Sequence, residues 1–403
     1  MRMSEWVRTP AGRRVALSLG FIAAAGFAQT DGGRIAGAEP AQAAPAKVAQ
    51  VSPNLSSKVR AALSEPVAPV SPAQAAAQSA LDSRIKAIGR GFNGDVGIAV
   101  KDIQTGWTSH FDGTSLFPQQ SVSKFWVSLT ALQKVDRGLI NLQTPVAVTS
   151  ADMTVFHQPI RGVMKNGVFN TTLEDLMHRA LQQSDNTAND FIMRRAGGPQ
   201  AVRDFIAENG IQGIRFGPGE KLLQAGIAGM KWQDSYSIGR SFYTARANVP
   251  QAKRQAAFSS YVADPIDGAT PLGLADGLAK LKRGELLSPA STARMLAIMS
   301  NTQTGKQRLR GGLAPGYRLA HKTGTGQVLG AAQAGYNDIG IITGPDGRAY
   351  AVAVMIKYTT APIGSRMQMM QSVTRAVIDY DRASGRSTWA GGGAGSVGAS
   401  NRR

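Results

Sequence analysis

The chain of 403 residues contains no cysteine. That excludes disulfides, thiolate zinc sites, a cysteine nucleophile and a cysteine-linked lipid anchor. Its four histidines, at positions 110, 157, 178 and 321, show none of the short spacings a zinc site uses, so neither a metal nor another cofactor is expected. Acidic residues are also scarce, 26 against 45 Lys and Arg, for a formal net charge of +19. Such a surface attracts anionic partners. No aromatic-basic motif accompanies it, so nucleic acid is not an expected partner and the charge reads as a solvated face. Long apolar runs are missing too: Val15–Ala28 is short for a bilayer span.

What the chain does have is ordered along it. Arg2, Arg8, Arg13 and Arg14 precede that apolar run, which carries small residues at Gly26 and Ala28. Residues 1–28 therefore read as a signal peptide for export to the periplasm, with Arg13-Arg14 hinting at the twin-arginine route and no membrane span expected after its removal. Residues 29–78, rich in Ala, Pro, Gln, Val and Ser, read as a flexible linker, and 384–403 as a Gly/Ser-rich disordered tail. The fold is expected over 79–383.

Within it, Leu81–Ile88 reads as a short amphipathic helix, and Asp95–Lys101 and Trp107–Phe111 as a hairpin. From Ser121 to Val135 apolar residues recur at helical spacing. Helices continue at Leu173–Gln182, Ala188–Arg195, Gln200–Asn209, Leu272–Leu281 and Pro289–Met299. Strands return at Arg318–Lys322, Asp338–Thr343 and Tyr350–Tyr358, before a last helix at Arg366–Asp381. Strands at both ends with helices between them indicate an α+β fold. Its antiparallel sheet is formed by the N- and C-terminal segments and flanked by helices, an all-α lobe is inserted, and the active site lies in the cleft between them.

Three short motifs carry the chemistry. Ser121 and Lys124 form Ser-x-x-Lys; three apart on a helix, hydroxyl and amine share a face. A hydroxyl becomes a nucleophile when a neighbouring base takes its proton, and a lysine held neutral by burial is such a base. Ser184-Asp185-Asn186 sits between two helical segments, and Lys322-Thr323-Gly324-Thr325-Gly326 ends a strand. Alone, each is weak. In this order they resemble the class A serine β-lactamases, within the superfamily shared with penicillin-binding proteins. The resemblance covers roughly Leu81–Asp381, and Phe117-Pro118-Gln119-Gln120-Ser121-Val122-Ser123-Lys124 is similar to the branch with Gln and Ser before the valine.

The resemblance implies acyl transfer by a monomer acting on a small β-lactam. Ser121 would attack the lactam carbonyl, with Lys124 accepting or relaying its proton. The backbone N–H groups of Ser121 and Thr325 would form the oxyanion hole. Ser184 would pass a proton to the leaving nitrogen, and Lys322 would direct positive potential at Ser184 and the substrate carboxylate. Thr323, Gly324 and Thr325 would bind that carboxylate, and Asn186 would hold Lys124 and the substrate side-chain amide. Counting along the chain places the deacylating glutamate at Glu220 and its water-holding partner at Gln224. Here the sequence departs from the family: Pro218 stands in place of a loop-anchoring arginine, Lys221 replaces a proline, and Gln224 an asparagine. Arg308 is expected to reach the substrate carboxylate, with Arg310 the buried structural arginine, and His157 takes the place of a cleft-wall aromatic.

Residues 225–268 form an insertion expected to brace the Glu220 loop, with rimming the cleft as the alternative. Two other functions share parts of this pattern: a penicillin-binding D-Ala-D-Ala carboxypeptidase or peptidoglycan hydrolase, and a non-catalytic envelope-binding protein.

Overall fold

The computed structural model describes residues 70–384, so the expected signal peptide, most of the linker and nearly all of the tail lie outside the described residues. The chain enters through α1 (Pro72–Gly91), capped by the Ser71 hydroxyl, which accepts from Gln74 N (3.2 Å), and with proline in its first turn. The helix thus starts earlier than Leu81, inside the stretch read as linker. Ala and Gln are good helix formers, and Ala77, Leu81, Ile85 and Gly89, four apart, give it one buried face.

β1 (Asp95–Asp102) and β2 (Thr108–Phe111) form the expected hairpin. β3 (Phe117–Pro118) leads to a 3-10 turn, Gln120–Ser123, which runs into α2 (Lys124–Asp136). The motif serine therefore lies on a tighter turn ahead of the α-helix. A second hairpin, β4 (Pro145–Thr149) with β5 (Val168–Thr172), precedes α3 (Leu173–His178). The helix expected to reach Gln182 instead widens into a π-turn at Arg179–Gln183, which ends with Ser184 in the left-handed region (φ 61°). There follow α4 (Asn186–Arg195), α5 (Gly198–Glu208), α6 (Glu220–Ile227), α7 (Ser241–Asn248), α8 (Gln251–Ala263), β6 (Gly268–Ala269), α9 (Pro271–Arg283) and α10 (Pro289–Ser300). The chain closes with β7 (Arg318–Thr325), β8 (Val328–Leu329), β9 (Ala332–Thr343), β10 (Ala349–Thr359) and α11 (Ile363–Ser384).

The main sheet is antiparallel in the order β2-β1-β10-β9-β7, with β8 added to β9. Helices cover both faces, which is why β10 is buried and apolar without alternation from Ala349 to Ile356. Tyr350, Val352, Val354 and Ile356 pack with Ile85 of α1 and Met370, Val373 and Val377 of α11. Ala349, Ala351, Ala353 and Met355 face the other way, into the core shared with α2 and α9. Those alanines let α9 approach closely. Phe125, Trp126, Leu129 and Leu132 of α2 are fully buried in that core, each contributing about 1.5–3 kcal/mol or more by burial. The rod that follows the Ser121 turn, with Lys124 at its head, is therefore held fast by the core.

Candidate active site

Two glutamines set the nucleophile's turn. The Gln119 amide donates to Arg215 O and Asp267 O (both 2.8 Å) and accepts from Trp126 Nε1 (2.8 Å). Gln120 adopts φ 52°, a left-handed conformation costly for a side chain with a Cβ. It is held there by its backbone N–H on Asp267 Oδ2 (2.8 Å) and its amide on the Tyr261 hydroxyl (2.5 Å). Opposite, a Cβ on Gly324 would stand 2.5 Å from Gln119 O and 3.2 Å from Val122 N. Only glycine lets β7 abut the turn, and this brings Thr325 beside Ser121.

Lys124 is fully buried, and its Nζ donates to Ser121 Oγ (2.9 Å) and to Glu220 Oε1. Glu220, also buried, opens α6. Its backbone N–H reaches the Asp190 carboxylate (3.1 and 3.2 Å), and its Oε2 accepts from Gln224 Nε2 (3.2 Å). Gln224 also donates to Gln120 Oε1 (3.0 Å) and accepts from Gln327 Nε2 (3.0 Å), so its longer arm ties the loop to the nucleophile's turn and to the segment joining β7 and β8. In place of an anchoring arginine, the loop uses Gly219 (φ 100°), whose Cβ would meet Met193 at 2.7 Å, packed over Asp190. Lys221 points outward to Ala151 O (3.0 Å) and lies over the Trp232 ring.

Burial, reinforced by the charge of Glu220, pushes the Asp190 carboxyl up to about 6, and burial does the same to Asp267. Between pH 4 and 6 the folded chain keeps protons that the unfolded chain has released, so stability falls as pH rises through that window. Asp190→Asn keeps an acceptor for Glu220 N and removes the buried charge. It is expected to raise unfolding free energy by up to about 2–3 kcal/mol at pH 8 and little at pH 4, checked by urea unfolding at both values.

The second and third motifs meet on the other side of Ser121. Asp185 caps α4 by accepting from Ala188 N (2.9 Å) and ties in Ile160 N (2.7 Å). Ser184 Oγ accepts from Lys322 Nζ (2.8 Å), which also donates to Thr323 O (2.8 Å). Burial, then the charges of Lys124 and Arg308, push the Lys322 amine well down. Asn186 donates to Val155 O (2.9 Å) rather than meeting Lys124 by a hydrogen bond, and its buried Oδ1 has no protein partner. Thr323 shares a hydrogen bond with Thr304 (2.7 Å). Arg308 donates to Gly324 O (2.9 Å), Asn337 O (2.7 Å) and Thr325 Oγ1 (2.6 Å), its guanidinium 3.7 Å from the Tyr336 ring centroid. The expectation for Arg310 is corrected. It is only half-buried, on Ser300 O (3.0 Å), because the 3-10 turn at Leu309–Gly312 aims Arg308 inward instead.

Ser121, Ser184, Asn186, Gln224, Arg308, Thr323 and Thr325 line a cleft of about 650 Å³, and Lys124, Glu220 and Lys322 lie buried behind its wall. His157 stands exposed at its mouth, on Gln183 O (2.7 Å), while the neighbouring Phe156 supplies an aromatic wall. Residues 225–268 both brace the Glu220 segment and rim the cleft. Phe258 and Tyr261 pack on Leu223 and Ile227 of α6, whereas Tyr243 and Arg246 of α7 line the cleft. Phe156, Tyr243, Arg246, Thr304 and Gln327 were not anticipated as site residues. Only the aromatic and basic richness of 225–268 pointed to two of them.

Comparison with known proteins agrees with this arrangement. Residues 80–380 match the model of the beta-lactamase enzyme family. The extended-spectrum beta-lactamase PER-1 of Pseudomonas aeruginosa is 30% identical over 305 residues, covering 75% of this chain and 87% of its own. Among solved structures, TLA-3 extended-spectrum beta-lactamase superposes with a TM-score of 0.62 at 25% identity, covering 75% of this chain and 98% of its own. An ancestral class A beta-lactamase does so with a TM-score of 0.59 at 25% identity, covering 74% and 99%. With its three motifs gathered on one cleft and this kinship along the whole folded region, the chain belongs to the beta-lactamase enzyme family, as a class A serine β-lactamase that hydrolyses β-lactams.

Proposed function

We propose that Ser121 opens the lactam ring and that Glu220 activates the water that frees it. The observation that carries this is the Lys124 amine, in contact with both Ser121 Oγ and Glu220 Oε1. One buried group thus links nucleophile and base, so a proton leaving Ser121 has a path to either. The Ser121 oxygen bonds to the lactam carbonyl carbon. The negative charge that develops on the carbonyl oxygen is met by the N–H groups of Ser121 and Thr325. As the C–N bond breaks, Ser184, in contact with Lys322, delivers a proton to the nitrogen and takes in exchange the one Ser121 released, which leaves Glu220 ionised. Water then gives a proton to Glu220 as its oxygen attacks the ester carbonyl; the bond to the Ser121 oxygen breaks, and Glu220 returns the proton through Lys124 to that oxygen.

Arg308, Thr323 and Thr325, with Gly324 offering no side chain to obstruct, receive the ring carboxylate; Lys322 adds positive potential. Asn186, with its unpartnered carbonyl oxygen, accepts from the acyl-side-chain amide, and Gln224 holds the Glu220 carboxylate toward the water. Residues 1–28 direct export, which places the monomeric enzyme in the periplasm, between incoming antibiotic and its targets. Among the described residues no helix is long and apolar enough to cross a membrane.

Mass spectrometry of the penicillin-treated protein over time tests this reading. An adduct on Ser121 is expected to form and decay while substrate is consumed many times over. A stoichiometric adduct that persists would overturn the role of Glu220 and favour a penicillin-binding peptidase.

A further inference from the structure

Several partly exposed arginines are paired with carboxylates. Arg194 pairs with Asp152, Arg215 with Asp264 and Arg294 with Glu174. Arg246 is different. It projects from α7 into the cleft, half-buried, and its protein partner is a neutral oxygen, Val328 O (2.5 Å). Burial and the charge of Arg254 act against its charge, the Tyr243 phenol acts the other way, and among the described residues no carboxylate pairs with it. A guanidinium has five N–H donors in a planar fork, so most of Arg246's capacity faces the cleft unspent.

Arg308 likewise meets neutral oxygens, two backbone carbonyls and the Thr325 hydroxyl, although it is buried and stacked on Tyr336. One guanidinium is held at Thr325 and the other at Val328. Two residues, Gly326 and Gln327, lie between those anchor points, which are at most about 11 Å apart with the chain extended. Arg308 lies by Thr325 and Gly305, and Arg246 by Val328, next in the chain to Gln327, which donates to Gln224. Beside Arg246 the Tyr243 ring meets Phe156 edge-on (5.8 Å between centroids), an apolar wall for an aryl or alkyl group.

We propose that Arg246 is a second anion subsite, selecting β-lactams that carry a carboxylate on the acyl side chain in addition to the one on the ring. This rests on the proposed attack by Ser121 with the ring carboxylate at Arg308, since that orientation sends the acyl side chain toward Asn186, Gln224 and Arg246. The carboxylate takes the free donors of the Arg246 fork, and the aryl or alkyl portion packs on Tyr243 and Phe156.

Benzylpenicillin and carbenicillin differ by one carboxylate on the side chain, which makes them the test pair. For Arg246→Gln the ratio of kcat/KM, carbenicillin over benzylpenicillin, is expected to fall about fivefold, chiefly through KM, the size of one half-exposed charge pair. Arg246→Lys should recover part of it, and added salt should shrink the wild-type ratio toward that of the Gln variant. An unchanged ratio in Arg246→Gln, with both substrates affected equally, would overturn the proposal and leave Arg246 as a brace on Val328. Acylation rates by mass spectrometry are read for the same pair, so a failure of deacylation, which strikes only the role of Glu220, leaves the comparison intact. No adduct with either penicillin would overturn both readings.

Discussion

Ser121→Ala is expected to lower kcat by about 10⁶-fold and to abolish the penicillin adduct, with little change in stability. The size follows from removing a nucleophile whose neighbours act only through it. The hydroxyl's side-chain partner is Lys124 Nζ (2.9 Å), and the turn is held by Gln119, Gln120 and Asp267 rather than by Ser121. Alanine therefore fits the same backbone, and a matching thermal transition assigns the loss to chemistry. Substantial turnover by this variant would move the nucleophile elsewhere.

Glu220→Gln is expected to slow deacylation by about 10²–10⁴-fold, the usual worth of a positioned general base. Acylation suffers as well, because Lys124 is left buried without its anionic partner. The informative quantity is thus the lifetime of the adduct. It should stretch far beyond that of the wild type, while substrate turnover stops after one equivalent. The substitution keeps the volume, and the Glu220 backbone N–H still reaches Asp190. An adduct that decays at the wild-type rate would place the base on another group, with Asp190 the nearest remaining carboxylate.

How far the site could be read from the chain depends on how local each signal is. Ser121-x-x-Lys124, Ser184-Asp185-Asn186 and Lys322-Thr323-Gly324 are contiguous, because each occupies one turn or one strand end. Glu220 and Arg308 needed only a distance along the chain from those anchors, and both lie in the cleft or against Lys124. The roles of Gln119, Gln120 and Asp190 were not legible because they are tertiary. A glutamine amide bridging Arg215 O to Trp126, or an aspartate beneath the backbone of Glu220, leaves no periodicity to detect. Helix α1 was missed at its start for another reason. Alanine serves linkers and helices alike, and what settles the matter is the face that Ala77, Leu81 and Ile85 bury against the sheet. Arg246 and Tyr243 depended on where α7 docks, which the composition of 225–268 does not fix.

The pairing of β1 with β10 also governs the order in which the molecule can assemble. Val100 lies opposite Val352 and Asp102 opposite Tyr350, so the first sheet strand has its main neighbour among the last segments of the chain. Such a topology has high contact order and folds slowly, since a long loop must close before the pairing rewards it. Until β10 arrives, β1 has β2 alone beside it and an open edge on the other side, a hazard for chains meeting one another. A chain cut after β9 lacks the strand joining both halves of the sheet, so its failure is all-or-none. The Ser121 turn and β7, brought together only when the sheet is complete, then form no site at all.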